Sequence, residues 1–545
     1  MSGDDRAADL AITGAAVRTM DPSLPVTDAV AVRGDRVVAL GAKAVREVTG
    51  PATEVLDLPG RLVLPGFQDA HVHPPSSGLE RLRCDLTGAD DREGYRMAIA
   101  AYASDRKDAW ILGGGWSMAA FPGGTPRREA LDDLVPDRPV FLTNRDGHGA
   151  WVNGVALEMA GISAATGDPP DGRIERDPDG TPTGTLHEGA MSLVERLIPA
   201  TTGEEWRAAI LESQRYLHSL GITAWQDAWV DEGALRAYRE LCDRGELTAR
   251  VVTALWWERD RGEEQVEELI ERRRWGTGGR LRATTVKIML DGVVENFTAS
   301  MLEPYLDAEG GPTGNRGLRF VDPEALAKYV PRLHREGFQV HFHAIGDGAV
   351  RAALDAVEAA VQSQGPRDLR HHVAHIQVVH PDDIPRFAKL GVVANAQPLW
   401  ACHEPQMDEL TIPFIGPERT ARQYPFASLL RAGARLAIGS DWAVSTPDPF
   451  PQLEVAVNRV DPEQRENPPF LPDERLDLLQ ALAAFTRGSA YVNHLDDETG
   501  TLAPGMKADL VVVDRDITAP GAGPIGDARA ELTMVAGRVV HNDLG

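Results

Sequence analysis

Cysteine is scarce in this sequence, which has three among 545 residues: Cys84, Cys242 and Cys402. They lie far apart, and no two of them form a C-x-x-C pair. This spacing argues against a disulfide framework and against a cysteine-rich zinc site. If the chain binds a metal, the ligands must come from other residue types, such as histidine, aspartate or a modified lysine.

Basic side chains are also in deficit. Lysine and arginine number 56 against 82 acidic residues, so the formal net charge is −26. A surface of this kind repels phosphate groups, which argues against nucleic acid and anionic membranes as partners. The hydrophobic share of 43% is ordinary for a globular protein and excludes disorder of the whole chain.

Two kinds of apolar segment are missing from the sequence. No run of 18 apolar residues is present, so no transmembrane helix is expected. The first residues, MSGDDRAADL, contain neither a basic region nor an apolar core, so no secretory signal is expected. These absences predict a soluble, cytoplasmic protein.

Both ends of the chain have the pattern of short strands joined by tight turns. Residues 1–64 contain runs such as ADLAITGAAVRTM and DAVAVRGDRVVALG, and residues 499–545 contain ADLVVVDRD and LTMVAGRVVHND. A few strands alone form only a marginal sheet. We therefore predict one small β-domain built from both ends.

Residues 65–498 alternate short apolar runs with segments of helical period, such as VDPEALAKYVPRLHREG. Parallel strands covered by helices on both faces have this pattern, and eight repeats predict an α/β fold with a (β/α)8 TIM barrel. The runs are LVLPGFQDAHVH, RPVFLTNRDGH, GITAWQDAW, TTVKIML, FQVHFHAIG, HHVAHIQV, GVVANAQP and ARLAIGSDW. The surplus segments, about 75–138 and 150–220, are predicted to be insertions that form a lid over the barrel mouth.

Residues able to bind a metal occur where several predicted strands end. His71 and His73 follow the first run, and strand residues two apart point to the same side. Active sites of such barrels form at the carboxyl ends of the strands. The other candidates are Lys287, His341, His343, His371, His372, His375 and Asp441. So many candidates at strand ends indicate a metal site rather than chance.

Strand alternation leaves a choice within two histidine clusters. We select His343 and His375, which lie closest to the carboxyl edge of their strands. His341, His371 and His372 are assigned to packing or to the support of ligands. His148, which ends the second run, is a candidate for stabilising negative charge. Five further residues, each as consistent with a structural role, could line a substrate pocket: Trp116, Glu188, Asp227, Trp400 and His403.

The sequence resembles the amidohydrolase superfamily, and more narrowly amidohydrolase family 3, which includes N-substituted formamide deformylases. The motifs that carry this resemblance span nearly the whole chain: PGFQDAHVHP, DGHGAWVN, GITAWQD, VKIMLDGVVENFTASMLEPY, VHFHAIGD, HVAHIQ, GSDW and GMKADLVVVDRD. The combination is specific, although the individual motifs are not. It implies a metal centre at the barrel mouth and a composite β-sandwich made from both ends.

The resemblance also implies roles for individual residues. The metal ligands it implies are His71, His73, Lys287, His343, His375 and Asp441. Lys287 matches a family lysine that can be N-carboxylated and bridge two metals. Zinc is the expected metal because histidine and carboxylate ligands suit it, with manganese, iron and cobalt left open. One or two ions per chain are expected.

The predicted activity is hydrolysis of a C–N bond in a small amide, with an N-substituted formamide or a related amide as the expected substrate. Metal-activated hydroxide would attack the carbonyl group, and Asp441 would carry the proton to the leaving nitrogen. Cyclic-amide opening, deamination and lactone hydrolysis on the same scaffold stay open. So does a metal-binding scaffold protein without turnover. The sequence leaves open whether the chain forms a homo-oligomer.

Overall fold

The centre of the structure is a barrel of eight parallel strands. It is seen in a computed structural model that describes residues 7–89 and 91–545. We label the strands β1 to β8 in chain order: Phe67–Val72, Ile222–Val230, Arg250–Trp256, Leu281–Met289, Gln339–Ala344, His372–His375, Val393–Ala396 and Leu436–Ile438. Across the seam between β8 and β1, the backbone N–H of Asp441 donates to the carbonyl of His71 at 2.8 Å. The predicted TIM barrel is confirmed.

Helices surround the barrel, and their limits follow from local sequence signals. In Pro323–Glu336, the side chain of Asp322 caps the first turn by accepting from the N–H of Glu324 at 2.8 Å. Gly337 ends this helix in the left-handed conformation that glycine adopts without a steric penalty. The α-helices of the described chain are Ala42–Val48, Pro74–Leu82, Arg92–Asp105, Glu129–Asp132, Gly154–Ala160, Ser192–Glu195, Gly203–Ser219, Glu232–Asp243, Val266–Gly276, Pro323–Glu336, Asp347–Gln364, Ile384–Leu390, Ile412–Thr420, Phe426–Arg431, Pro449–Asn458, Leu478–Ala483 and Ser489–Val492. None of them is long and apolar enough to cross a membrane.

The segment between β1 and β2 carries a second sheet of six strands. In spatial order they are Gly172–Arg176, Pro182–Glu188, Gly149–Val152, Val140–Asn144, Ile111–Trp116 and Cys84–Asp85. We call this segment the insertion. It has its own apolar clusters on the two faces of the sheet.

The prediction that RPVFLTNRDGH forms the second barrel strand is wrong, because this run belongs to the sheet of the insertion. Val140 and Leu142 pack in one apolar cluster and Phe141 packs in the other. A strand covered on both faces has the same continuous apolar pattern as a barrel strand, which explains the error. The barrel instead uses Arg250–Trp256, a run that the sequence count overlooked. The two predicted insertions, 75–138 and 150–220, are therefore parts of one segment.

A third sheet contains strands from both ends of the chain, as the hairpin patterns predict. In spatial order its strands are Arg538–Asn542, Ala530–Val535, Leu510–Val513, Leu62–Pro65, Leu10–Arg18, Val26–Arg33 and Arg36–Leu40, with Glu54–Asp57 also paired to Leu10–Arg18. The limits 1–64 and 499–545 remain predictions, and residues 1–6 lie outside the described part of the chain. We call this the terminal sheet.

A buried ion pair joins the terminal sheet to the base of the barrel. The guanidinium of Arg250, at the start of β3, donates to the carboxylate of Asp509, and both residues are buried. Asp509 also accepts from the backbone N–H of Ala536 at 2.6 Å. Removing one partner of such a pair leaves the other charge buried without its counter-ion.

We predict that Arg250→Met lowers the free energy of unfolding by about 3 kcal/mol, because the carboxylate of Asp509 loses its buried cation. Urea denaturation followed by circular dichroism measures the change. The control is Arg274→Met, which removes an exposed pair with Glu271 and should cost less than about 0.5 kcal/mol. Equal stability of the two variants would contradict the role of the buried pair.

Candidate metal centre

Three predicted metal ligands converge at the barrel mouth. The Nε2 atoms of His71 and His73 lie 3.2 and 2.9 Å from Oδ1 of Asp441. One potential ligand atom from each of the three residues lies within 4.8 Å of the others. The first strand and the last strand are neighbours in the closed barrel, so residues far apart in sequence meet at one edge.

The carboxylate of Asp69 aligns the two strands that carry these residues. Its Oδ1 accepts from the backbone N–H groups of His71 and Ser440, each at 3.0 Å. It thereby links the end of β1 to the residue before Asp441. The sequence analysis did not identify Asp69. The available signal was a carboxylate two residues before the first histidine, within the run LVLPGFQDAHVH.

His343 and His375 lie beside this cluster. Nδ1 of His375 is 3.7 Å from Oδ2 of Asp441, and the ring centres of His343 and His375 are 4.4 Å apart. Nε2 of His343 lies 3.2 Å from the carbonyl oxygen of Gly292 and can donate to it. Both histidines therefore adjoin the group formed by His71, His73 and Asp441.

Lys287 extends from β4 into the same space. Its Nζ is 3.5 Å from Nε2 of His71, and the residue is buried. Burial lowers the pKa of Lys287 to about 7. A substantial share of this amine is therefore neutral near physiological pH.

The protonation states around the cluster suit a divalent cation. Burial lowers the pKa of His71 to about 3 and lowers the pKa values of His343 and His375 well below the ordinary histidine value. Burial favours the neutral form of Asp441, but the surrounding imidazoles outweigh it and hold the pKa of this carboxyl well below its usual value. Neutral imidazoles and an ionised carboxylate are the forms that bind metals.

Two buried polar atoms in this group make no well-aligned hydrogen bond among the described residues: Oδ1 of Asp441, which faces imidazole nitrogens at 3.2 and 2.9 Å, and Nδ1 of His375. Buried polar atoms almost always have such bonds, so these two atoms require an explanation. A bound cation would satisfy both. The residues present therefore fit a metal ion.

Two of these residues sit on strained backbone. The φ angles of His375 and Asp441 are 77° and 56°, in the left-handed region that side chains other than glycine seldom occupy. Each such position costs of the order of 1–3 kcal/mol and persists only where the surrounding structure holds it. Here the hydrogen bonds of Asp69 hold the chain before Asp441.

The insertion contributes a buried pair beside the cluster. His148 lies between two strands of the insertion's sheet rather than at the end of a barrel strand. Its Nδ1 is 3.0 Å from each carboxylate oxygen of Glu188, and its ring centre is 5.5 Å from that of His343. Thr298 donates to Glu188 at 2.8 Å. Burial opposes charge on His148, but the adjacent Glu188 outweighs it and raises the pKa of His148 to about 9.

The other predicted pocket residues have different surroundings. Trp116 is fully buried in the insertion and donates to the carbonyl of Leu142, so it does not line the mouth. Asp227 lies on the second barrel strand, not the predicted third, and accepts from the hydroxyl of Tyr238 at 2.9 Å. The polar groups of Trp116 and Asp227 are thus engaged in hydrogen bonds within the protein.

The remaining two pocket candidates lie in the segment that follows β7. The indole ring of Trp400 stacks on the imidazole of His375 at 5.4 Å, with 13° between the planes, and is partly exposed. His403 pairs with Asp408 at 2.7 Å. Trp400 is thus the candidate that directly contacts a predicted ligand.

The polar residues beneath the cluster include Gln226, which the sequence analysis also missed. It lies on β2 and contacts both His341 and His372, at 2.7 and 2.9 Å. These two histidines support the cluster, whereas His371 pairs with His334 at 3.0 Å. A glutamine inside the buried run GITAWQDAW was the available signal.

Comparison with known proteins agrees with this architecture. The profile of the amidohydrolase family matches residues 54–541. The protein LONG AFTER FAR-RED 3 of Arabidopsis thaliana is 32% identical over 524 residues, which cover 93% of this chain and 87% of the relative. N-substituted formamide deformylase of Arthrobacter pascens is 27% identical over 553 residues, which cover 98% of this chain and 99% of the relative.

A solved structure shares the fold over a similar length. It is that of an uncharacterised metal-dependent hydrolase from Pyrococcus furiosus, with a TM-score of 0.71 and 28% identity. The alignment covers 93% of this chain and 99% of that one. The family profile covers most of the sequence, including the strands that carry the clustered histidines and Asp441. The chain therefore belongs to the amidohydrolase family of hydrolases.

Proposed function

We propose that this protein is a metal-dependent hydrolase that cleaves the C–N bond of small amides, with N-substituted formamides as substrates. The observation that carries the proposal is the convergence of His71, His73 and Asp441 beside the orphan Nδ1 of His375. The near full-length similarity to a protein named N-substituted formamide deformylase supports the choice of substrate.

Six residues would hold the metal in this proposal: His71, His73, Lys287, His343, His375 and Asp441. Zinc is the proposed ion, because neutral imidazoles and a carboxylate are ligands that it accepts readily. When bound, such a cation makes hydroxide available near neutral pH and polarises a carbonyl group. One or two ions per chain fit the number of donors.

Asp441 is the proposed proton carrier. Its two oxygens have different surroundings, since Oδ1 faces His71 and His73 while Oδ2 lies on the side of His375. The carboxylate accepts a proton from the attacking water and donates it to the nitrogen as the C–N bond breaks. The lowered pKa of Asp441 keeps its carboxylate ionised, the form that a proton acceptor requires. The products are formate and a free amine.

His148 is the proposed donor to the substrate oxygen. Glu188 stabilises its protonated form, and Thr298 keeps Glu188 in place. A cationic imidazole beside the metal ligands would stabilise the negative charge that develops on the carbonyl oxygen. The partly exposed ring of Trp400 offers an apolar surface for the N-substituent.

The substrate test uses N-substituted formamides with alkyl and arylalkyl groups, beside cyclic amides, lactones and aminopurines. We predict that the zinc-loaded protein releases formate and amine from formamides in equal amounts. A chelator should abolish this release and added zinc should restore it, because water activation depends on the cation. Formate and amine are measured separately.

The matched variant for this test is Asp441→Asn, which removes the proton acceptor while keeping the size of the side chain. Turnover should fall by about 10²–10⁴-fold, the range for loss of a general base. Asp473→Asn, at an exposed position, is the control and should keep wild-type turnover. Turnover of another substrate class alone would contradict the formamide assignment. No turnover of any class by zinc-loaded protein would contradict the enzyme proposal.

Lys287 is proposed to carry a carboxylate on its amine. A neutral amine adds to carbon dioxide, which forms one N–C bond and releases one proton. Burial supplies the neutral amine by lowering the pKa of Lys287 to about 7. The product is an anionic side chain with oxygen atoms that can bridge two cations.

We predict that Lys287→Met binds about one zinc ion per chain where the wild type, prepared with bicarbonate, binds about two, because the bridging oxygens are lost. Mass spectrometry of metal content gives the ratio. Lys389→Met is the control at an exposed lysine and should match the wild type. Two ions bound to Lys287→Met would show that Lys287 does not bridge metals.

A further inference from the structure

Four buried polar side chains form a hydrogen-bonded layer beneath the candidate metal centre: Gln226 of β2, His341 of β5, His372 of β6 and Asn395 of β7. We call this layer the relay. All four side chains are fully buried, so bulk solvent does not compete for their hydrogen bonds. The neighbouring protein groups therefore constrain the positions of the protons in the relay.

The orientation of the Gln226 amide is set by its neighbour Gln339. The amide nitrogen of Gln339 donates to the backbone carbonyls of Arg370 and Val492, each at 2.7 Å. Carbonyl oxygens only accept, so the side-chain oxygen of Gln339 must be the atom that faces Gln226. Gln226 therefore donates its amide nitrogen to Gln339, at 3.1 Å, and to Asn493, at 3.0 Å.

This orientation turns the Oε1 atom of Gln226 towards the histidines. Oε1 lies 2.7 Å from Nδ1 of His341, and because it only accepts, His341 must carry its proton on Nδ1. Nε2 of His341 is then an acceptor. It lies 2.8 Å from Nδ1 of His71, so His71 must also carry its proton on Nδ1.

The tautomer of His71 determines whether its Nε2 atom can bind a metal. With the proton of His71 on Nδ1, its Nε2 presents a lone pair on the side of Asp441, 3.2 Å away. The opposite tautomer of His341 would donate to His71 and place the proton of His71 on Nε2. That proton would occupy the position a metal needs.

His372 contacts the same oxygen of Gln226, Oε1, from a second direction. Its Nε2 lies 2.9 Å from Oε1 of Gln226, and its Nδ1 accepts from the amide of Asn395 at 3.2 Å. Asn395 also donates to the carbonyl of Ala70 at 2.9 Å, which orients its own amide. Both histidines thus donate to one oxygen, and no alternative arrangement of the relay satisfies all of its donors.

We infer that Gln226 is a positioning residue that acts through His341 to hold His71 in the tautomer able to bind a metal. The inference rests on the proposed function in one respect, that His71 is a metal ligand. Gln226 acts through His341 and does not itself contact the substrate or the cation. Residues that orient metal-bound histidines typically contribute 10–100-fold to metal affinity.

The test measures the zinc dissociation constant by competition with a chelator. Gln226→Met removes the acceptor and should weaken zinc binding by about 10–100-fold. The same change in the background of His341→Gln should alter affinity by no more than about twofold, because the imidazole through which Gln226 acts is already gone, whereas the losses from two independent changes would add. An amide at position 341 can offer its oxygen to His71 without depending on a tautomer. Gln214→Met, at a buried glutamine that bonds Glu246 and Thr248, is the control and should keep wild-type affinity.

An equal loss from Gln226→Met in both backgrounds would show a general packing effect and overturn the inference, as would unchanged affinity.

A second measurement needs no variant at position 226. Nitrogen-15 spectra of the metal-free protein report imidazole tautomers, with His341→Gln assigning one resonance. Protons on Nδ1 of His341 and His71 are expected, and a proton on Nε2 of either would overturn the inference. Failure of the wild type to bind zinc would instead contradict the proposed function, and the spectra would still decide the role of Gln226.

Discussion

The carboxylate of Asp69 holds together the two strand ends on which the candidate metal centre depends. One of its oxygens accepts from the backbone of His71 and of Ser440, and so joins β1 to the chain that leaves β8. The adjacent bond from Asp441 N–H to His71 carbonyl closes the same seam. Closure of the barrel is therefore also the event that assembles the site, since His71 and Asp441 meet only when the first and last strands are neighbours.

The barrel and the insertion contribute different kinds of group. The strand ends supply the imidazoles, the lysine and the carboxylate that fit a cation. The insertion supplies His148 and Glu188, a charged pair that suits a substrate oxygen. These groups belong to separate sheets with separate apolar cores. The two parts meet where the ring of His148 lies 5.5 Å from that of His343 and where Thr298 donates to Glu188.

The sequence predicts the barrel well because its strands are buried on both faces and contain short apolar runs, and because its helices carry clear caps, as in Pro323–Glu336. It predicts the clustered candidates because carboxyl strand ends share one face. The prediction from sequence fails at Val140–Asn144. This strand is buried on both faces of another sheet, so its apolar pattern is the same as that of a barrel strand. The sequence also cannot show the relay, because Gln226 contacts partners from three distant segments of the chain. Those contacts depend on tertiary packing rather than on local pattern.

The central claim is that the histidines and the carboxylate at the barrel mouth hold a divalent cation. Anomalous diffraction at the zinc absorption edge, from crystals of zinc-loaded active protein, tests it most directly. The account predicts a strong peak between His71, His73 and Asp441. A peak only elsewhere, or none at this position in crystals of active enzyme, would contradict it.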